Sequence, residues 1–278
     1  MFSEPEEPTA TRMRRARATA CAALKVEDAA QNPIWGYAGR TLSGLVHGSE
    51  EDGWLRVVSE TAARAGGRLW EGPRTASFAL PASVPRPALH RIHDWTEEGW
   101  SYRAELYAYA PASVVSPGPV LDTDLDLSEA WWAGLGTALD ALAAVPTDRV
   151  SMREEYIRRA VAEFTGHAVG GIPWSTAHGD LHWANLTGPE LLILDWEGWG
   201  RAPYGFDAAL LHIYALRAPE TANHVRKTLA HFLDDPAVRV AELTVCAQVL
   251  QAADRTPFYA ALADPVRRYL KRMGRGAV

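Results

Sequence analysis

The period of the apolar positions changes twice along the chain. From Thr9 or Thr11 to about Ala30, alanines with Met13, Leu24 and Val26 recur at helical spacing, and Asn32-Pro33 ends the run. The basic residues Arg14, Arg15 and Arg17 are read as the solvated face of this helix. Between Ile34 and Val58 the pattern shortens to that of a small antiparallel sheet, with a polar turn from Gly48 to Gly53 and a strand at Trp54-Leu55-Arg56-Val57-Val58. Ala62 to Leu80 is helical but interrupted by Gly66-Gly67 and Pro73. Two strands follow, Ala88 to Trp95 and Trp100 to Ala108, the second marked by alternation of Tyr102, Ala104, Leu106 and Ala108. Thr96-Glu97-Glu98-Gly99 is the turn between them.

The Pro-rich segment Pro111 to Pro119 marks a boundary, and helical spacing dominates after it. Asp126 and Glu129 form a capping pair for a helix from Leu127 to Ala144, whose Trp131, Trp132, Leu135, Leu139 and Leu142 are read as core. A second helix spans Ser151 to Phe164. Beyond Gly200 four more are expected, at about Phe206–Leu216, Thr221–Leu233, Pro236–Ala252 and Pro257–Met273, with prolines at the breaks. At 278 residues the chain is long for one core and suits two lobes, divided at about Ala110: 1–110 and 111–278.

The stretch Trp174 to Trp199, WSTAHGDLHWANLTGPELLILDWEGW, breaks both patterns. Thr176-Ala177-His178 is short and extended, and Gly179 permits a backbone angle that turns Asp180 outward. Asn185 lies five residues after Asp180, and the apolar run Leu191-Leu192-Ile193-Leu194, read as a buried strand, delivers Asp195. Two acids and an amide then converge. Mg²⁺ takes hard oxygen ligands from one or two carboxylates plus substrate phosphates, so Asn185 and Asp195 supply the protein's share, while Asp180 accepts the proton of an attacking hydroxyl.

His178-Gly179-Asp180, Asn185 and Asp195-Trp196-Glu197 follow the order and spacing of the protein-kinase catalytic and metal motifs. With H-G-D where protein kinases write H-R-D, the chain resembles the aminoglycoside phosphotransferase family, small-molecule kinases of the protein-kinase-like fold. The resemblance implies an α+β, two-lobed architecture with a small antiparallel-sheet lobe binding nucleotide and a larger, mostly helical lobe. It implies transfer of the γ-phosphoryl group of ATP or GTP to a hydroxyl of a small molecule, such as an antibiotic, a choline-like alcohol or a sugar. Antibiotic resistance is one physiological setting for such a reaction. The chain leaving the last small-lobe strand, Glu105 to Ala110 with Tyr107 and Tyr109, would contact the nucleobase through its backbone. Asp207 matches a position that braces the catalytic loop, and capping of the next helix is an equal reading. His178 anchors the loop through hydrogen bonds. Glu197 stands beside the metal or faces a cationic acceptor, or is an ordinary exposed acid.

One departure concerns the phosphate cation. The family places a lysine on the strand where this chain has Arg56, and Lys25 is the only lysine in the first two hundred residues. Three readings stand: Arg56 takes the role, another residue such as Arg40 takes it, or nucleotide binding is weakened. Glu71 and Glu60 are the candidate acids to pair with Arg56. The glycines from Gly36 to Gly44 either cover the phosphates or serve as bulges and turns. Two rival functions stay open. A non-catalytic nucleotide-binding protein is suggested by the missing lysine, and a metal-dependent hydrolase by His178 and His182, four residues apart. The tryptophans of the central stretch either pack or hold a sugar or ammonium group.

Charge changes the picture only by exclusion. A net charge of −6 disfavours nonspecific nucleic-acid binding and tolerates a cationic acceptor. Cys21 and Cys246 are too few for a disulfide framework, the basic N-terminal cluster lacks an uninterrupted apolar run behind it, and no run suffices to span a bilayer. A cytoplasmic location is the expectation.

Overall fold

The computed structural model describes residues 3–275, without the side chain of Arg275. Its contacts divide the chain into two compact units, 1–77 with 86–111, and 78–85 with 112–278. The excursion of 78–85 departs from the single boundary expected at Ala110. Its reason is local: Val84 is 1% exposed, and the Ile193 N–H donates to the Pro85 carbonyl at 2.8 Å, which ties this segment into the second unit.

The first unit is built on a six-stranded antiparallel sheet. In chain order its elements are α1 (Thr9–Leu24), β1 (Glu27–Asp28), β2 (Ile34–Trp35), β3 (Thr41–His47), β4 (Asp52–Thr61), α2 (Arg68–Ala79), β5 (Leu89–Glu97) and β6 (Trp100–Ala108). The strand order is β1-β3-β4-β6-β5, with β2 also pairing β3. Strand alternation makes the two faces differ. Leu55, Val57, Tyr102, Ala104 and Leu106 pack with Met13, Ala16, Ala20 and Leu24 of α1 in one apolar cluster. Arg56, Arg103, Glu105 and Tyr107, at the other phase of the same strands, face the opposite way.

Arg14 and Arg15 lie on a solvated face as expected, with side chains 52% and 58% exposed, but Arg17 does not. Arg17 is 3% exposed and runs into the sheet, donating through Nε and Nη2 to Asp28 at 2.9 and 2.8 Å and to the carbonyls of Leu55 and Leu45 at 3.1 and 3.2 Å. The guanidinium in turn holds the Asp28 carboxyl below its ordinary range. Arg12 lies 3.7 Å over the Trp100 ring, and Arg15 pairs with Glu97. The helix is apolar enough only on one stripe, so its long cationic side chains are used to reach the sheet that the stripe covers. Gly44 belongs to the same device, because a Cβ there would lie 2.5 Å from that of Ala30 and 3.4 Å from Arg17 Nη2.

The second unit comprises β7 (Ser113–Val114), α3 (Glu129–Ala143), α4 (Glu154–Thr165), β8 (Trp174–Ala177), β9 (Thr187–Gly188), β10 (Gly200–Pro203), α5 (Phe206–Tyr214), α6 (Pro219–Thr228), α7 (Ala230–Leu233), α8 (Arg239–Ala252) and α9 (Pro257–Arg275). Trp131, Trp132, Leu135, Leu139 and Leu142 of α3 are buried, as their spacing predicts. Its cap is Ser128, whose Oγ accepts from the Trp131 N–H at 3.2 Å, rather than the expected Asp126. Helices α4, α5 and α9 pack around α8, and β8 pairs with β10 antiparallel. Leu191–Leu194 does not form the expected strand: only Ile193 makes a bridge, to Leu186. Trp183, Trp196 and Trp199 are all buried, which assigns them to packing. Among the described residues no helix is long and apolar enough to cross a membrane.

Candidate active site

Strand β8 ends at Ala177 and delivers the His178-Gly179-Asp180 turn, while its partner β10 leads through Tyr204-Gly205 into α5. This hairpin-like pairing sets the first turn of α5 against the loop. Asp207, 5% exposed, accepts from the His178 N–H through Oδ2 at 2.7 Å and from the Gly179 N–H through Oδ1 at 3.0 Å. Burial raises the Asp207 carboxyl to about 6, against the lowering effect of those two N–H groups. The helix receives no side-chain cap from it. Gly179 has φ +83°, and a Cβ there would sit 1.9 Å from Ser151 Oγ, so both backbone angle and space require glycine.

His178 is 0% exposed and each ring nitrogen has a partner. Nδ1 accepts from the Asp180 N–H at 3.3 Å, and Nε2 lies 2.8 Å from the Leu194 carbonyl, which makes Nε2 the protonated nitrogen. Burial, with a smaller contribution from His182, lowers its pKa to about 4, so the ring is neutral. The Trp196 ring meets it edge-on at 4.6 Å while Trp196 Nε1 donates to the Ile193 carbonyl at 2.8 Å.

The loop then closes on itself through a short 3-10 turn, Trp183–Asn185. The His182 N–H donates to Asp180 O, and Asn185 Nδ2 donates to the same carbonyl, each at 2.9 Å. With the amide nitrogen turned inward, the Asn185 Oδ1 faces the other way. The Asn185 carbonyl accepts from the Leu194 N–H at 2.9 Å. Leu194 is therefore held on both sides, its N–H by Asn185 and its carbonyl by His178, and the next residue, Asp195, has φ +60°. The backbone of Asp180, the amide of Asn185 and Leu194, the residue before Asp195, thus belong to one hydrogen-bonded frame. That frame, not a sheet edge, sets where Asp195 begins.

The Asp180 carboxyl is raised to about 7 by the crowding of protein around it and by the negative charges of Asp195, Asp207 and Glu197. Its side chain is 63% exposed, so water solvates it better than that crowding implies, and repulsion among the acids is the firmer cause of the upward direction. His182 Nε2 is 3.9 Å from Asp180 Oδ2, and burial lowers the His182 pKa. Arg149, which the sequence did not single out, donates to the carbonyls of Trp199 at 3.1 Å and Glu197 at 3.3 Å and lies 5.0 Å over the Trp199 ring. Among the described residues no three His, Cys, Asp or Glu side chains converge as a metal-binding group. His178 has both ring nitrogens committed to backbone groups.

In the first unit the expected pairing is corrected. Arg56 Nη1 donates to Glu105 Oε2 at 2.9 Å, from the adjacent strand. Glu71 instead receives Arg103 at 3.0 Å, and Glu60 lies 3.9 Å from Arg40. Cross-strand register decides this, because Arg56 and Glu105 are directly opposite. Tyr107 donates its hydroxyl to the same Glu105 oxygen at 2.9 Å, whereas Tyr109 is 41% exposed. In the turn from Gly36 to Arg40, the N–H groups of Gly36, Gly39 and Arg40 are already donated to Thr41, Gly36 and Tyr37 carbonyls. The signal for Glu105 was present in the sequence: Arg103, Glu105 and Tyr107 occupy the phase of β6 left over by its apolar alternation.

No family model matches the sequence, and the search of curated proteins found no match. Solved structures do match. Aminoglycoside phosphotransferase APH(4)-Ia aligns with 91% of this chain and 98% of its own, at a TM-score of 0.61 and 12% identity. The microcompartment-associated aminopropanol kinase covers 92% of this chain and 98% of its own, at 0.57 and 15%. A choline/ethanolamine kinase family protein from Mesorhizobium loti covers 93% of each, at 0.54 and 17%. The chain therefore has the α+β protein-kinase-like fold found in these small-molecule kinases.

Proposed function

We propose that this protein is a phosphotransferase that moves the γ-phosphoryl group of ATP or GTP to a hydroxyl of a small molecule. The observation that carries the reading is the frame around Leu194: Asn185 is bonded to the Asp180 carbonyl through its side chain and to Leu194, the residue before Asp195, through its backbone. Asp180 accepts the proton of the attacking hydroxyl; a carboxyl raised to about 7 is a better base than an ordinary one and still ionises near neutrality. Asn185 Oδ1 and the Asp195 carboxylate suit Mg²⁺, an oxygen-seeking cation, which when bound neutralises charge on the triphosphate. His178 and Asp207 hold the loop from behind, and Glu197 stands beside the acids. Arg56 steadies the phosphates, and the strand end with Tyr107 and Tyr109 meets the nucleobase.

The acceptor class, an antibiotic such as an aminoglycoside among the candidates, is to be read from a screen of hydroxylated antibiotics, amino alcohols, sugars and nucleosides with labelled ATP and GTP. Asp180→Asn should lower turnover on the order of 10²-fold or more. Near-full activity in that variant would reject the assignment. The arginine in place of a strand lysine favours one second reading, a nucleotide-binding protein without turnover. Mg²⁺-dependent thermal stabilisation by nucleotide, with no acceptor consumed across the panel, would decide for it.

A further inference from the structure

The polar face of the first unit's sheet holds a buried acid whose role the proposed reaction does not yet use. Glu105 is 1% exposed, on β6, directly opposite Arg56 on β4. Its Oε2 accepts two hydrogen bonds of 2.9 Å, one from Arg56 Nη1 and one from the Tyr107 hydroxyl. Arg56 is itself only 16% exposed. Two residues earlier on the same face of β6, Arg103 takes Glu71 of α2 at 3.0 Å together with Asp94 of β5 at 2.7 Å. The helix acid is thus committed elsewhere, and the acid for Arg56 comes from the sheet.

We propose that Glu105 is the positioning residue for Arg56: it fixes the guanidinium in one rotamer through Nη1, so that the fork is held in place for a triphosphate, and Tyr107 fixes Glu105. This rests on the reading of Arg56 as the phosphate cation. Arginine suits the arrangement because its planar fork carries five donors, enough to bond an acid on one edge and a phosphate on another. Cross-strand neighbours in a hydrogen-bonded sheet do not move apart, so the alignment of Arg56 is independent of where α2 sits.

The test is a double-mutant cycle on nucleotide affinity, with Mg·ATP and Mg·GTP titrated calorimetrically into the full chain. Glu105→Leu should weaken binding about tenfold, the scale of freeing a long cation from one rotamer. Glu105→Gln, which keeps an acceptor, should weaken it less, and Tyr107→Phe by a few-fold. In an Arg56→Ala background none of the three should change binding further. In turnover the same variants should raise the nucleotide KM and leave kcat near wild type. Unchanged or tighter binding in the folded variants overturns the proposal, as does an equal loss without Arg56, which would mark a merely structural acid. Should Glu105→Leu not fold, the Gln and Tyr107→Phe variants test the same coupling. If the wild-type protein binds neither nucleotide, the functional reading fails and this one with it. If it binds but the cycle shows no coupling, only this proposal falls.

Discussion

Replacing Gly179 by alanine tests the frame at its tightest point. The residue has φ +83°, where a Cβ crowds the backbone at a cost of about 1–2 kcal/mol. The new methyl would also fall 1.9 Å from Ser151 Oγ and 3.1 Å from Ser151 Cβ, with the Gly198 carbonyl at 3.3 Å. Forcing that overlap costs about 1–3 kcal/mol more, for a total of roughly 2–5 kcal/mol. At about 2–4 °C per kcal/mol for a unit of this size, a loss of ~3 kcal/mol lowers the melting temperature by about 6–12 °C. Adding Ser151→Ala removes the worst contact and should return most of the steric part, leaving the part due to φ and the tighter fit against the Cβ of residue 151 and the Gly198 carbonyl. Catalysis should suffer more than stability. The adjacent Asp180 is displaced, and a shift of about 1 Å at a reacting group costs on the order of 10²-fold in rate. Thermal melts of the single and double variants, with turnover on whichever acceptor the screen supplies, are the assay. A Gly179→Ala protein that melts as wild type and keeps its turnover would refute both the strain and the role given to this turn.

Other expectations follow from named groups. Since a base works only when ionised and the acids around Asp180 raise its carboxyl, kcat/KM should rise with pH through an apparent pKa above the ordinary carboxylate range and level off above it. The sign for stability is opposite: a raised acid favours the folded state most below its unfolded value near 3.8, and that advantage is lost as pH rises through about 7. A pH–rate profile that is flat from 5 to about 8 would contradict this. Arg103→Met removes a 3% exposed cation from the half-exposed Asp94 and Glu71 and from the Trp70 carbonyl, and should cost about 1–3 kcal/mol in urea unfolding. A loss below about 1 kcal/mol would show that these contacts do not hold α2 to the sheet. Chelation with EDTA should abolish turnover, with recovery on adding Mg²⁺ but not Zn²⁺, because the assigned ligands are an amide and a carboxylate oxygen.

How much of the molecule is readable from its sequence depends on whether a feature is local. Helix α3 announces itself through apolar spacing, α8 through the proline-containing breaks on either side of it, and the β5–β6 hairpin through alternation on either side of Glu98-Gly99, since such signals are local to the backbone. The order of His178, Asp180, Asn185 and Asp195 is likewise visible, because a turn, a loop and a following extended segment fix their spacing along the chain. Partners of charges are not. Arg17 reads as a solvated arginine and is buried against Asp28 and two carbonyls; Arg56 reads as a partner for a helix acid and is met by Glu105. Both errors have one cause, that a charged side chain's partner is set by strand register and by which face a helix covers, and neither quantity is written in any local window. The run Leu191–Leu194 makes the same point from the apolar side: it reads as a buried strand, yet only Ile193 is fully buried, and the bonds that the Leu194 carbonyl accepts from His178 and its N–H donates to Asn185 make it a pinned loop. The sequence by itself determined the helices, the hairpin and the identity of the reactive side chains. Tertiary structure decided how those side chains are held, because holding them takes backbone groups from segments that meet only after folding.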